Sequence, residues 1–325
     1  MANVISGMHE EKEIQLSIII PAFNEEESIP ELVDWIANVM QSNSIRYEIW
    51  FIDDGSTDGT WKQIEKSNQK YSEVKGIRFR RNYGKSAALH TGFHHCNGEV
   101  VITMDADLQD SPDELPGLYK MIQEEGYDLV SGWKKIRYDN ALSKNLPSKI
   151  YNTISGWMSG VKLHDMNCGL KAYRGEVVKS IEIYGEMHRY IPVIAKSAGF
   201  KNIGEKVVQH RARKYGYSKF GMSRFVNGFL DLATILFIGK FGKRPMHFFG
   251  AFGMVFFFLG FVFVFYLSIT KLAFGHMGMT QRPAFFMALV SMIIGSQMFF
   301  TGFLAELVTR NAPERNLYLI RHLIK

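Results

Sequence analysis

Three carboxylates and one amide fall within the six residues DADLQD at 105–110, directly after the apolar run EVVITM. If the chain leaves a strand here in extended form, Asp105, Asp107 and Gln109 share one side and offer hard oxygen ligands suited to Mg²⁺ or Mn²⁺. Such an ion would neutralise a diphosphate and help it depart. A lone D-x-D is commonly a solvated turn; the strand end just before this one is what favours the metal. A second acidic run, Asp53-Asp54-Gly55-Ser56-Thr57-Asp58-Gly59, follows another apolar stretch. Its carboxylates can accept bonds from a base N–H or ribose hydroxyls, and Gly55 lets backbone come close. It is also a serviceable turn and N-cap, but not an EF-hand loop, because the closing ligands are missing. Asn82-Tyr83-Gly84-Lys85-Ser86 suits a phosphate at a helix start. Phe79 stands where a P-loop needs glycine, and no G-x-G-x-x-G follows a strand, which argues against a P-loop NTPase and a dinucleotide-binding oxidoreductase.

The elements that must hold these groups can be read from periodicity. Short β-rich runs at 16–20, 47–52, 74–79, 99–104 and 127–132 alternate with helical patterns near 27–41, 58–69, 84–95 and 112–124. Ser111 and Glu114 form a capping-box pattern with Pro112 in the first turn. Repeated strand–helix–strand units imply an α/β fold with a mostly parallel sheet covered on both faces. In such sheets ligands bind beyond the carboxyl ends of the strands, where Asn24 and Glu25, Asp53 and Asp54, Arg80 to Lys85, and Asp105 to Asp110 all stand.

The bulk composition averages two unlike parts. Residues 246–270 contain no Lys, Arg, Asp or Glu, and 283–305 are nearly as apolar; at ~1.5 Å per residue each is long enough to cross a ~30 Å hydrocarbon core. Lys240, Lys243 and Arg244 before the pair and Arg310, Arg315, Arg321 and Lys325 after it outnumber Lys271 and Arg282 between, so both ends and the large N-terminal part are expected in the cytoplasm. The opening MANVISGMHEEKEIQ does not resemble an export signal. A polar line at Arg224, Asn227, Asp231 and Thr234 predicts a helix lying along the membrane, and an apolar stripe from Leu142 to Trp157 suits core packing at least as well as lipid. Gly250, Gly253 and Gly260 permit close helix packing and an oligomer. Cys96 and Cys168 imply neither a disulfide framework nor a metal knuckle, and the net charge of +6 fits anionic substrates or a membrane surface without calling for nucleic acid.

The order IIIPAFNEE, FIDDGSTDGT, RNYGKSAAL, TMDADLQDSPDELP, DMNCGLKAYR, HRYIPVIA and HRARKYGYSKFG resembles the inverting family-2 glycosyltransferases, in particular dolichol-phosphate mannose synthase and the bacterial bactoprenol-phosphate glycosyltransferases. The resemblance implies a GT-A-like fold with Pro21, Phe23, Glu25 and Asp53 around the nucleotide, and Asp105, Asp107 and Gln109 on a Mg²⁺ or Mn²⁺; Asp54, Lys85, Asp105 and Ala106 complete the residues expected at the nucleotide sugar. It also implies a mobile loop, 211–219, closing over the donor. Trp133-Lys134 stands where relatives carry arginine, which leaves open whether Lys134, Lys135 or Arg137 meets phosphate. The expected reaction moves one sugar from a nucleotide diphosphate, by resemblance UDP-glucose or UDP-N-acetylglucosamine, to a polyprenyl phosphate such as undecaprenyl phosphate.

Elementary chemistry agrees with that expectation. A phosphate monoester, with a second pKa near ~6, is already an anionic nucleophile at neutral pH, so the site needs cations more than a strong base. Arg211, Arg213, Lys214 and Lys219 offer them, although a basic patch on anionic lipid is the plainer use of such a run. Asp165 and Asn167 are candidates to position acceptor or sugar. The expected organisation is a glycosyltransferase domain at 1–222, an amphipathic segment at 223–245, a two-helix anchor at 246–310 and a tail at 311–325. A processive polysaccharide synthase is the nearest rival, but Q-x-x-R-W is missing and two spans enclose little. A sensor that merely binds nucleotide sugars is disfavoured by the full set of carboxylates.

Overall fold

Continuous apolar runs, rather than alternating ones, form the central strands because both faces of the sheet are covered: Leu16, Ile18, Ile19 and Ile20 in one strand and Ile49, Phe51 and Ile52 in the next are all fully buried. The computed structural model of the chain describes residues 14–135, 160–211, 214, 237, 245–274, 279–310 and 320–324. Its first part runs β1 (Leu16–Ala22), α1 (Ile29–Ser42), β2 (Tyr47–Asp53), α2 (Thr60–Lys70), β3 (Val74–Phe79), α3 (Lys85–His95) and β4 (Val100–Thr103). A 3₁₀ turn (Pro112–Glu114) leads into α4 (Leu115–Gln123), followed by β5 (Leu129–Trp133), β6 (Lys171–Arg174) and α5 (Gly175–Ser180). A second 3₁₀ turn (Met187–Tyr190) leads into α6 (Ile191–Ser197), then β7 (Ile203–Val207), the long helices α7 (Pro245–Phe274) and α8 (Pro283–Arg310), and β8 (Ile320–Ile324).

The eight strands form one sheet in the order β7-β5-β6-β4-β1-β2-β3-β8. β1 pairs in parallel with β2 and β4, β2 with β3, and β5 with β7, while β6 is antiparallel to β4 and β5. The carboxyl ends of β1, β2, β3, β4, β5 and β7, and the start of β6, therefore share one edge. α1 shows how the helices close a face: Ile29, Leu32, Val33, Ile36 and Met40 recur at helical spacing and are buried, each worth roughly 1.5–3 kcal/mol against exposure.

Differences from the sequence expectations are local. Ser111 does not cap the following helix; its hydroxyl donates to Asp113 Oδ2 at 3.0 Å, and the Glu114 carboxylate accepts from Lys206 and from the Gln209 N–H at 3.1 Å. A partner distant in sequence has outcompeted the capping box. β6, β7 and β8 were not anticipated. The expected membrane-lying helix at 224–238, apart from Phe237, and the stripe at 142–157 lie outside the described residues.

The chain divides into two compact units, Met1–Ile235 with Asn316–Lys325, and Leu236–Arg315. In the second, α7 and α8 are long and apolar enough to cross a membrane, with mean hydropathy of 2.5 and 1.7 in their most apolar stretches. They meet along a glycine seam: a Cβ on Gly295 would lie 2.5 Å from the Gly253 carbonyl oxygen and from the Phe257 nitrogen, and one on Gly260 would strike the Ala288 carbonyl. The glycines singled out at 253 and 260 thus serve the pairing of the two helices within one chain. Gly295→Val should force the helices apart at a cost of roughly 1–3 kcal/mol, seen as a lower melting temperature of the detergent-solubilised chain by circular dichroism; an unchanged melt would contradict the seam.

Candidate functional site

The strand-end edge gathers charge from every strand that finishes there. Asp53, the last residue of β2, is fully buried; its Oδ1 accepts the Ser56 N–H at 2.8 Å, and Arg78 Nε of β3 lies 3.2 Å from its Oδ2. Burial pushes its carboxyl up, opposed by the Ser56 bonds and Arg78. Asp54 accepts the backbone N–H groups of Tyr83 and Gly84 at 2.7 and 2.9 Å. The amides where α3 begins are therefore partly satisfied by the protein's own carboxylate. Gly55 lies between them with φ +74°, and a Cβ there would sit 2.5 Å from the Arg81 carbonyl carbon, so only glycine lets the two loops close.

After β1, Asn24 Oδ1 accepts the Thr57 N–H at 2.9 Å, and Glu25 takes the Ser28 hydroxyl at 3.0 Å on Oε2 while its own N–H donates to Thr60 Oγ1 at 2.8 Å. Pro21 and Phe23 on the same stretch are partly exposed. These bonds join the first two strand ends into one wall, with the residues expected around a nucleotide on it.

The run after β4 differs from the extended reading. Leu108 has φ +59°, and the Gln109 N–H donates to Asp107 Oδ1 at 3.2 Å, so the segment turns back on itself as aspartates favour. Asp105 remains at the mouth, its side chain 35% exposed and ion-paired with Lys85, the first residue of α3. Burial would raise the Asp105 carboxyl, but the Lys85 and Lys134 ammonium groups outweigh that and hold it well below the usual carboxylate range. Ala106 and Asp107 are buried beside it, and Gln109 is partly exposed. Gly169, at the turn into β6, presses on Asp105: a Cβ there would lie 2.5 Å from Asp105 Oδ2.

Beneath this mouth the charges are paired. Lys134 of the segment after β5 lies 2.6 Å from Asp110 Oδ1, and that carboxylate with Asp105 holds the ammonium above its ordinary range despite burial, which alone would lower it. Lys171 of β6 is 3% exposed and donates to the Cys168 carbonyl; burial pushes its ammonium down. Asp165 is buried nearby, with its N–H on Glu205 Oε1 at 3.0 Å, while Asn167 is exposed. His188 sits on Ser86 at the start of α3, its Nδ1 3.1 Å from the hydroxyl.

Arg211 follows the end of β7. Its N–H donates to the Gln109 carbonyl at 2.9 Å, and its guanidinium stacks 4.1 Å from the ring centre of Trp35 on α1. Lys214 pairs with Glu31 at 2.6 Å. Arg213, Lys219 and Arg137 lie outside the described residues. Gly169, Lys171, Arg78 and His188 were not singled out from the sequence; DMNCGLKAYR and HRYIPVIA were the available signals, but which members face the mouth depends on strand register.

The metal expectation can be tested against this chemistry. Among the described residues no group of three His, Cys, Asp or Glu side chains could hold an ion unaided. The Asp105 carboxylate at the mouth, with Asp107 buried two residues on, still fits Mg²⁺ or Mn²⁺, which commonly take one or two protein carboxylates and complete their shell with substrate phosphates and water.

Comparison with known proteins places this arrangement. A family model described as Glycosyl transferase family 2 matches residues 17–181. Dodecaprenyl-phosphate galacturonate synthase of Rhizobium johnstonii is 36% identical over 299 residues, 91% of this chain and 88% of that protein. Undecaprenyl-phosphate 4-deoxy-4-formamido-L-arabinose transferase of Klebsiella pneumoniae is 32% identical over 315 residues, 96% and 94% of the two chains. Glucosyl-3-phosphoglycerate synthase of Mycobacterium tuberculosis, crystallised with Mn²⁺ and UDP-glucose, shares the fold at a TM-score of 0.53 with 18% identity, over 69% of this chain and 78% of that one.

Two expectations follow from the geometry. Gly169→Ala should displace the Asp105 carboxylate and lower activity about ten- to a hundredfold while leaving the melting temperature within a few degrees; retained activity would show that the contact does not matter. Asp54 has its carboxyl pushed by burial from 3.8 to about 6, with the Tyr83 and Gly84 amides opposing. The folded state then holds a proton that the unfolded chain has already lost. Its stabilising effect is complete below about pH 4 and is lost as pH rises through about 6. Relative to Asp54→Asn, the wild type should lose on the order of 2–3 kcal/mol of stability between pH 4 and 7, measurable as a pH series of thermal melts; parallel curves for the two proteins would refute it.

Proposed function

The chain belongs to glycosyl transferase family 2, and we propose that it transfers a single sugar, with inversion, from a uridine diphosphate sugar to a polyprenyl phosphate at the cytoplasmic face of a membrane. The observation that carries the reading is the strand-end mouth, with Asp105 partly exposed, Asp107 buried beside it and Lys85 paired with Asp105, in a chain that also has two helices long and apolar enough to span a bilayer. Two relatives bear the names of enzymes acting on dodecaprenyl and undecaprenyl phosphate, which supports the acceptor class. UDP-glucose and UDP-N-acetylglucosamine are the first donors to try; the galacturonate and formamido-arabinose of those relatives' names are the second.

In this reading the nucleotide lies along the wall of Pro21, Phe23 and Glu25, with Asp53 and Asp54 holding that wall rigid from below. Asp105, Asp107 and Gln109 would hold a Mg²⁺ or Mn²⁺. When bound, the ion neutralises charge that develops on the departing diphosphate. The acceptor phosphate needs no strong base, so the remaining work is to bring two anions together. Arg211, Arg213 and Lys219 meet that charge and Asp165 helps shape the acceptor side.

The flanking cations support a cytoplasmic active domain. The chain leaves the sheet-bearing unit before α7 and rejoins it as β8 after α8, which fits a pair of crossings that returns it to the side from which it departed, whichever side that is.

The test is incubation of the detergent-solubilised chain with undecaprenyl phosphate, Mg²⁺ or Mn²⁺ and a panel of radiolabelled UDP-sugars, with label counted in the organic phase. One donor should give a product of one sugar per lipid, and Asp107→Asn should cut it by about a hundredfold or more with the fold retained. No labelled lipid from any donor would overturn the transferase reading, and a product that grows beyond one sugar would favour a processive synthase.

A further inference from the structure

Asp105 feels three lysines, but they are not equivalent. Lys134 lies 2.6 Å from Asp110 and is 13% exposed; Lys171 is 3% exposed and bonded to the Cys168 carbonyl. Lys85 alone of the three is bonded directly to Asp105, with its side chain 32% exposed and that of Asp105 35% exposed. It stands at the first position of α3, where Asp54 already takes the Tyr83 and Gly84 amides, and its flexible four-carbon stem leaves the ammonium free to change partner within a few ångströms.

A lysine bonded to the carboxylate that a divalent cation would ligate cannot be neutral in that event. The two cations compete for one anion and repel each other. A diphosphate brought to the same mouth offers the displaced ammonium a new anionic partner.

We propose that Lys85 is an exchangeable counter-ion: it neutralises Asp105 while the mouth is without metal, and it passes to the donor diphosphate as the cation takes over the carboxylate. Metal and nucleotide then bind interdependently, because each favours the same position of one side chain. This rests on the metal and nucleotide sites of the proposed function, and it adds a coupling between them that neither site has alone.

The test is Mn²⁺ binding to the full detergent-solubilised chain, followed by electron paramagnetic resonance with and without uridine diphosphate, so that turnover plays no part. Wild type should bind Mn²⁺ weakly alone and more tightly with UDP. Lys85→Gln should bind Mn²⁺ alone about fivefold or more tightly than wild type, and its gain on adding UDP should shrink by a similar factor. Lys85→Arg, whose guanidinium pairs with a carboxylate in two-pronged fashion, should weaken Mn²⁺ binding without UDP. The opposite directions keep the test independent of folding, which circular dichroism checks for both. Equal Mn²⁺ affinity and equal UDP gain in wild type and Lys85→Gln would overturn the exchange while leaving the metal site standing. Absence of Mn²⁺ binding to wild type, with and without UDP, would overturn the metal reading and the exchange together.

Discussion

A carboxylate removed from water must be met by a cation or by N–H donors, or it stays protonated. This constraint organises the strand-end edge. Asp53, Asp54, Asp107 and Asp110 are each at most 8% exposed, and Asp105 stands a step further out. Arg78 answers Asp53, backbone amides answer Asp54, Lys134 answers Asp110, and Lys206 answers Glu114 nearby. Each pairing joins two different elements: β2 to β3, the β2 loop to the start of α3, the β4 loop to the end of β5, and the turn before α4 to β7. Neutralising the acids and fixing the mutual positions of the loops are thus one event.

Against that background the Lys85–Asp105 pair is the most open at both ends. The acids Asp53, Asp110 and Glu114 are at most 13% exposed and their cations Arg78, Lys134 and Lys206 at most 28%. Asp105 is 35% exposed and is bound by a flexible ammonium whose side chain is 32% exposed. At an effective dielectric of ~20, a single and a double positive charge about 4 Å apart repel by about 8 kcal/mol, so a lysine and a divalent ion do not share this carboxylate at close range. Gly169 holds the carboxylate from behind, where a methyl group would overlap Oδ2. The mouth therefore combines a carboxylate held against Gly169 with a counter-charge on a flexible stem.

Much of this was legible in the sequence, for identifiable reasons. β1 to β5 fell close to where apolar runs placed them, because strands buried on both faces need no alternation to be noticed. The polar groups at their ends were found because in parallel sheets function collects there. What escaped depends on non-local choices. Lys171 and Arg174 bound a short strand, β6, whose antiparallel pairing with β4 and β5 no local pattern announces. The partners of Asp110 and Glu114 lie in distant elements, and the Glu114 carboxylate left its capping box for a part-buried ion pair with Lys206 of another element. Gly169 looked like an ordinary turn glycine, and its meaning came from the neighbour it meets.

β8 carries the furthest-reaching consequence of the topology. The free edge of β3 would present unpaired N–H and C=O groups, a liability in any sheet. It is covered by residues Ile320–Ile324, antiparallel to β3, with His322 stacked on Trp61 of α2 at 6.0 Å. The strand that completes the sheet is thus made after both apolar helices, and it pairs with a partner laid down long before them. Such late, non-local pairing is slow to form and depends on everything between having found its place. The sheet-bearing unit consequently reaches its full eight strands only once α7 and α8 have been synthesised, which couples completion of the acidic edge's own sheet to the presence of the helices suited to a bilayer.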